Sequence, residues 1–228
     1  MLIQGIVQAF HMLLGIDNEI VNIVLMTILV SGSATIFSVI IGLPLGIWLA
    51  LHDFEGKSIF HSVVNFGMGL PPVVIGLVVS LCLWRYGPLG SLNLMYTPVA
   101  MIIAQTIIAT PIVAGLSFAA ILSIHPQLMP QLISLGATRR QAVWLLIREA
   151  RLGLMAAVIA GFGRIVSEVG ASMMVGGNIK GQTRVLTTAT VMEVGKGNYE
   201  MAMAVSLILL VGTFGIVFLL TWMQRKGK

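Results

Sequence analysis

The chain has 228 residues, of which 57% are hydrophobic and 9% charged, with 13 Lys and Arg against 8 Asp and Glu for a net charge of +5. Its mean hydropathy is +1.01, whereas a water-soluble domain spends about 25% of its residues on charge to coat its surface. The composition therefore excludes an ordinary soluble protein, makes membrane lipid the main neighbour, and turns the basic excess into an orientation signal, so no nucleic-acid partner is expected.

Crossing about 30 Å of hydrocarbon takes about 20 apolar residues in a helix. Five segments reach that length, at 20–51, 59–84, 97–122, 152–175 and 201–222. The predicted fold class is all-α, a polytopic membrane protein of about five transmembrane helices. Residues 1–19 are moderately apolar, end near Asp17 and Glu19, and read as an external, interfacial helix. The start lacks a basic region followed by an apolar stretch and a small-residue cleavage site, so the first span is expected to direct insertion itself. The sequence thus divides into that helix, a membrane-spanning domain at 20–224 and a basic tail at 225–228. Cys82 sits in an apolar run and reads as a packed core residue.

Lysine and arginine placement sets the predicted orientation. With the N-terminus outside, inner segments hold Lys57, Arg139, Arg140, Arg148, Arg151, Arg225, Lys226 and Lys228. Outer segments hold Lys180, Arg184 and Lys196, with Arg85 at a helix end. Basic residues gather on the cytoplasmic side, so the N-terminus is expected outside and the C-terminus inside.

Proline and glycine interrupt the spans at Gly42-Leu43-Pro44-Leu45-Gly46, Gly69-Leu70-Pro71-Pro72 and Thr110-Pro111. Such breaks are ordinary kinks or gating elements, and the sequence favours neither. Residues 123–150 are too polar to span, yet Leu132, Leu135, Val143 and Leu146 fall at spacings that can share one helical stripe. The fourth span is crowded with small residues, Gly153, Ala156, Ala157, Ala160, Gly161 and Gly163, which suits close helix contact. Residues 176–199 read as an external loop rich in Gly, Thr and basic side chains.

Arg164 and Glu168 lie four residues apart inside the fourth span. Charges at that depth are costly, and this spacing puts both on one face where they can partly neutralise each other. They are either part of a translocation path or gate, or a staple between helices. Downstream, Ser167, Gly170, Asn178, Thr183 and Arg184 sit among glycines. Glycine-rich backbone can point its amides into a concavity that favours anions, with Lys180, Thr183 and Arg184 as further donors. A flexible loop with incidental basic residues has the same composition. The four histidines neighbour no carboxylate or cysteine at metal-ligand spacing, and no HExxH, GxSxG or Walker loop is present. No catalytic residue, metal site or cofactor is therefore expected.

The segment Pro130-Gln131-Leu132-Ile133-Ser134-Leu135-Gly136-Ala137-Thr138-Arg139-Arg140 resembles the loop by which permease subunits of bacterial ATP-binding cassette (ABC) importers engage their ATPase. Pro130-Gln131-Leu132 stands where that pattern has EAA, and Arg148-Glu149 where it has Leu-Pro. The stretches Glu168-Val169-Gly170-Ala171, Asn178-Ile179-x-Gly181-x-Thr183 and Gly69-Leu70-Pro71-Pro72-Val73-Val74 are similar to the molybdate, sulfate and tungstate permeases. Arg148-Glu149-Ala150-Arg151 and Val175-Gly176-Gly177-Asn178-Ile179 look most like the tungstate branch. The resemblance implies a MetI-like transmembrane domain, a non-catalytic permease working as a homodimer with two copies of an ABC ATPase subunit and an external substrate-binding protein. It implies a bacterial or archaeal inner membrane, and tungstate as the cargo, with molybdate next. Ser134, Leu135, Gly136, Ala137, Thr138, Arg139 and Arg140 would form the ATPase-coupling segment. A secondary transporter driven by an ion gradient is the competing class, but no internal repeat supports it.

Overall fold

The apolar runs predict helices wherever the backbone must satisfy its own hydrogen bonds in lipid, and the computed structural model, which describes residues 18–226, is built of them. In chain order they are α1 (Asn18–Leu51), α2 (Lys57–Gly69), α3 (Pro72–Leu83), α4 (Pro98–Leu122), α5 (Leu128–Ser134), α6 (Arg139–Glu149), α7 (Arg151–Val166), α8 (Gly170–Gly176), α9 (Leu186–Gly195) and α10 (Tyr199–Lys226). Helices α1, α4 and α10 are each long and apolar enough to cross a membrane alone. The other two predicted spans are bent pairs: α2 and α3 meet at 99°, α7 and α8 at 58°. The interfacial helix expected at 1–19 lies outside the described residues except for Asn18 and Glu19, which open α1 instead of closing a separate element. Arg225 and Lys226 extend α10 rather than forming a detached tail.

Proline acts differently at its several positions. Pro72 and Pro98 occupy first-turn positions, where the missing amide proton costs nothing. Pro44 and Pro111 lie inside α1 and α4, which run on through them. Pro71 and Pro72 together remove the donors that would continue α2, and Leu70 turns extended at φ −61°, ψ 132°. Only this motif breaks its span.

Helix α4 is the central column. Its face against α1 carries Ala104, Ala109, Val113, Ala114 and Ser117, all buried. A Cβ on Gly42 would lie 2.8 Å from the Val113 Cβ, and one on Gly46 would strike the Ala114 carbonyl. These contacts advance together along both chains, so α1 and α4 run parallel, as first and third spans must. Gly153 meets Ala120 and Gly161 meets Val113, so α7 runs antiparallel on another side of α4. Gly153, Ala157 and Gly161 of the fourth span thus serve contact within the subunit, while Ala156 is exposed and Gly163 has open space at its Cβ position. Beyond this column, α9 and α10 pack on the outer part of α1 through Ile20, Ile23, Leu186, Ala189, Val205 and Ile208.

The connection at 176–199 is not an open loop. Leu186, Thr187, Thr188, Ala189 and Glu193 of α9 are buried within it. The Leu186 amide donates to Thr27 Oγ1 of α1 at 2.9 Å, and Glu193 accepts from Lys196 Nζ at 2.7 Å and Asn198 Nδ2 at 3.1 Å. At the other end, Lys57 Nζ lies 2.8 Å from Asp53 Oδ1 and holds that carboxyl below the usual range.

Gly46→Val places a branched side chain against the α4 backbone and should cost about 2 kcal/mol. Gly32 has open space around its Cβ position, so Gly32→Val should change stability little. Thermal midpoints of the purified variants in detergent check this, with a fall expected for position 46 alone.

Candidate functional site

Three places carry the residues singled out by sequence, and the structure keeps them separate. The first is the turn between α5 and α6. The Ala137 amide bonds to the Leu132 carbonyl and the Gly136 amide to the Ile133 carbonyl, both at 3.0 Å. This Schellman pattern needs a left-handed residue, and Gly136 supplies it at φ +89°. Thr138 then starts α6 with a capping box: the Gln141 amide donates to Thr138 Oγ1 at 3.4 Å, and the Thr138 amide to Gln141 Oε1 at 2.8 Å.

The turn is thus rigid, and it projects. Leu135 is 84% exposed and Ile133 50%, while Ser134, Gly136, Thr138, Arg139 and Arg140 are exposed and Ala137 is half-buried. The single stripe expected for Leu132, Leu135, Val143 and Leu146 does not form, because the turn divides it; Leu146 is buried and Leu135 points out. Arg139 and Arg140 occupy the first turn of α6, the end where the helix dipole disfavours cations. The turn therefore presents an exposed leucine beside two exposed arginines that pair with no carboxylate among the described residues.

The second place is the break between α7 and α8. Arg164 ends α7, where the dipole favours it. Ser167 caps that helix, with its Oγ donating to the Arg164 carbonyl at 3.1 Å. Glu168 is 6% exposed, and its Oε1 accepts from the Ala171 amide at 2.8 Å, so it caps α8. The expected neutralisation of Arg164 by Glu168 is absent, because the helix carrying both ends at Val166 and the bend re-aims the carboxylate. The Glu168 carbonyl accepts from Thr187 Oγ1 at 3.2 Å, tying the break to α9. Gly170 packs closely on α3, since a Cβ there would lie 2.9 Å from a Val73 methyl and force it to shift.

Sequence reasoning missed Gln105. It is 2% exposed in α4, and its Nε2 donates to Ser172 Oγ of α8 at 3.0 Å. Its Oε1 is buried without a hydrogen-bond partner. A lone amide in the apolar run 97–122 was the available signal.

The third place is the connection that follows α8. Thr183 is fully buried, donates to the Gly176 carbonyl and accepts from the Ile179 amide at 2.9 Å, closing the loop on itself. Arg184 Nη1 lies 3.4 Å from Glu19 Oε1 and Lys180 Nζ 2.6 Å from Glu19 Oε2. Arg184 Nη2 also reaches the Asn178 carbonyl at 3.5 Å. The cations expected to attract an external anion are therefore engaged by a carboxylate of α1, and Thr183 is spent on loop closure. Asn178, Thr183 and Arg184 form a clamp between α1 and α8, not an open nest.

A membrane column of α1, α4 and α7, two broken spans and a rigid projecting turn define a polytopic transport subunit. Residues 42–226 match the family described as binding-protein-dependent transport system inner membrane component. The chain is similar to a probable anion ABC transporter permease protein of Haloferax volcanii, with 42% identity over 86% of this chain and 87% of that one. It is also similar to the tungstate uptake system permease protein TupB of Peptoclostridium acidaminophilum, with 38% identity over 98% of each chain. In fold it resembles the inward-facing MetNI methionine ABC transporter, with a TM-score of 0.76 over 94% of this chain and 98% of that one at 21% identity. The chain belongs to the binding-protein-dependent transport system inner membrane component family. It is a multi-pass inner-membrane permease of MetI-like fold, a non-catalytic subunit of an ABC importer.

Glu168→Ala removes the cap of α8 and should cost about 1 kcal/mol, whereas Glu168→Gln keeps an acceptor and should recover most of it. Leu210 is 64% exposed, so Leu210→Ala serves as the neutral reference. Thermal midpoints of the three variants give the comparison.

Proposed function

We propose that this permease carries a tetrahedral oxyanion inward, tungstate first and molybdate next. The observation that carries the substrate is the similarity along nearly the whole chain to two proteins named as tungstate uptake permeases, at 38% and 32% identity. The relatives named for molybdenum match at 25% to 30%.

Residues 20–224 form the translocating unit, and two copies pair so that the path runs along the dimer axis. The N-terminus lies outside and the C-terminus in the cytoplasm, the arrangement favoured by the basic residues. Two copies of a separate ATPase subunit bind the projecting turn at 134–140, and an external substrate-binding protein delivers the oxyanion at the opposite face. Support for the docking role comes from the turn itself: Gly136 fixes its shape, Leu135 offers apolar surface, and Arg139 and Arg140 offer charge. A docking element must be rigid to pass a push from the ATPases to α6 and α7, and the capping box at Thr138 makes it so.

At the far end of α7, Arg164, Ser167, Glu168 and Gly170 form the gate region. Movement of α7 there bends the junction that Glu168 caps, and α8 shifts against Val73 of α3 and Gln105 of α4. Thr183, Asn178 and Arg184 hold the outer end of that gate to α1. Alternation between inward-open and outward-open states follows from this chain of contacts. Selectivity rests mainly with the binding protein, so the permease needs no tight site.

Metal content by mass spectrometry, in cells with and without the gene and supplied with tungstate, molybdate and sulfate together, tests the substrate. Selective loss of tungsten is expected; loss of molybdenum or sulfur instead overturns tungstate. Gly136→Asp strains a left-handed position and Arg139→Glu reverses a docking charge. Each should lower the substrate carried per ATP several-fold. Unchanged transport in both removes the docking role.

A further inference from the structure

Helix α2 has three faces. His61, Val64, Gly67 and Met68 turn toward α4: the His61 ring lies 4.6 Å from that of Phe118, Val64 and Met68 border Gly115, and Gly67 borders Pro111. Ile59, Val63 and Phe66 are 61% to 69% exposed and suit hydrocarbon. The third face holds Ser58, Ser62, Asn65 and Gly69, all exposed. Their spacing of four, three and four residues puts them in one line along the helix.

The contacts with α4 also fix the depth of this line. They pass from Phe118 to Pro111 as α2 advances from His61 to Gly67, so α2 runs antiparallel to a membrane-spanning helix and does not lie along the surface. At 1.5 Å per residue, Pro111 is about 16 Å in from the end of α4, near the bilayer midplane, and Ser62 and Asn65 lie roughly 6–11 Å in. An asparagine facing hydrocarbon there leaves polar atoms unsatisfied at a cost of several kcal/mol each. Ser62 Oγ can turn inward, and donates to the Ser58 carbonyl at 2.8 Å. The Asn65 amide has one weak contact, 3.4 Å to His61 Nε2, which leaves hydrogen-bonding capacity for what lies beyond. The helix ends at Pro71-Pro72, so the Met68 carbonyl has no amide donor four residues on.

We propose that this face of α2 lines the water-filled inner half of the path and offers the passing oxyanion uncharged hydrogen-bond donors, Ser62 and Asn65 foremost. The inference rests on the oxyanion reading and on the inward position of Lys57. No carboxylate lies on α2; Asp53 and Glu55 precede it, and Lys57 is held by Asp53. Neutral donors suit transit, because a site that is passed through must bind weakly enough to release. The gate residues of the fourth span and this face of the second then bound the same path from two broken helices.

Single cysteines at Ser62, Val63, Asn65 and Phe66, in a Cys82→Ala background with the partner ATPase present, test this in inside-out vesicles with a charged, impermeant methanethiosulfonate. The reagent needs a thiolate, which forms in water and not in hydrocarbon. Ser62→Cys and Asn65→Cys should therefore react about tenfold or more faster than Val63→Cys and Phe66→Cys, and added tungstate or molybdate should slow them. Equal rates at the four positions overturn the proposal by placing α2 at the surface. Slow reaction at all four overturns it by making the polar face a dry seam between two copies. Fast labelling that neither oxyanion slows overturns the donor role. The labelling pattern needs no uptake, so failure of the oxyanion reading is recognised separately, in the metal content of cells.

Discussion

Close contact of small residues along α4 is the constraint on which the rest of the structure depends. Lipid tails are as apolar as leucine, so helices in a membrane gain little from hiding hydrophobic surface and must instead fit closely. Gly42 and Gly46 of α1 meet α4 where any side chain would collide, and Gly153 and Gly161 of α7 do the same on another side. Ala109, Ala114 and Ala157 are buried almost completely in these seams. With three helices locked at short range, the remaining elements have a fixed surface to attach to. The apolar residues left outside, such as Leu25, Ile40, Leu210 and Phe218, are what a lipid-facing surface requires.

Against that rigid column, the two broken spans solve one problem in different ways. A helix that stops within the bilayer leaves amides and carbonyls without partners. At the α7–α8 junction side chains supply them: the Glu168 carboxylate takes the Ala171 amide, and Thr187 takes the Glu168 carbonyl. At the α2–α3 junction prolines remove the donors themselves. Both breaks sit beside each other, since Gly76 of α3 fits against Ala171 of α8 and Gly170 against Val73. Gln105 adds a third tie from the column to α8. Hydrogen bonds of this kind within membranes are worth roughly 0.6 kcal/mol on average, enough to set a resting position and weak enough to exchange during a transport cycle.

The basic side chains are used in two ways. Glu19 gathers Lys180 and Arg184, Glu193 takes Lys196 and Asp53 takes Lys57, so these side chains are internal fastenings. At the α5–α6 turn Arg139 and Arg140 are exposed and unpaired, beside an exposed leucine. That difference, beside the motif at 134–140, supports the docking role proposed for the turn.

Composition and hydrophobic length alone determined that the chain spans a membrane and placed, to within a few residues, the segments able to cross it. This is a local property, because about 20 apolar residues must be helical in lipid. Tertiary structure decided the rest. Arg164 and Glu168 suit a pair at four-residue spacing, yet the bend at Ser167 separates them, and nothing in the local spacing says that Thr187 and Ala171 will claim the glutamate. The basic stretch 180–184 suits an anion nest until Glu19, more than 160 positions away in the chain, comes to lie against it. The stretch 186–195 has the polar threonines of a loop, but each finds a partner or a packed place once α1 and α10 surround it. Long-range partners decide the role of a polar side chain, and sequence spacing reports only neighbours on the same helix.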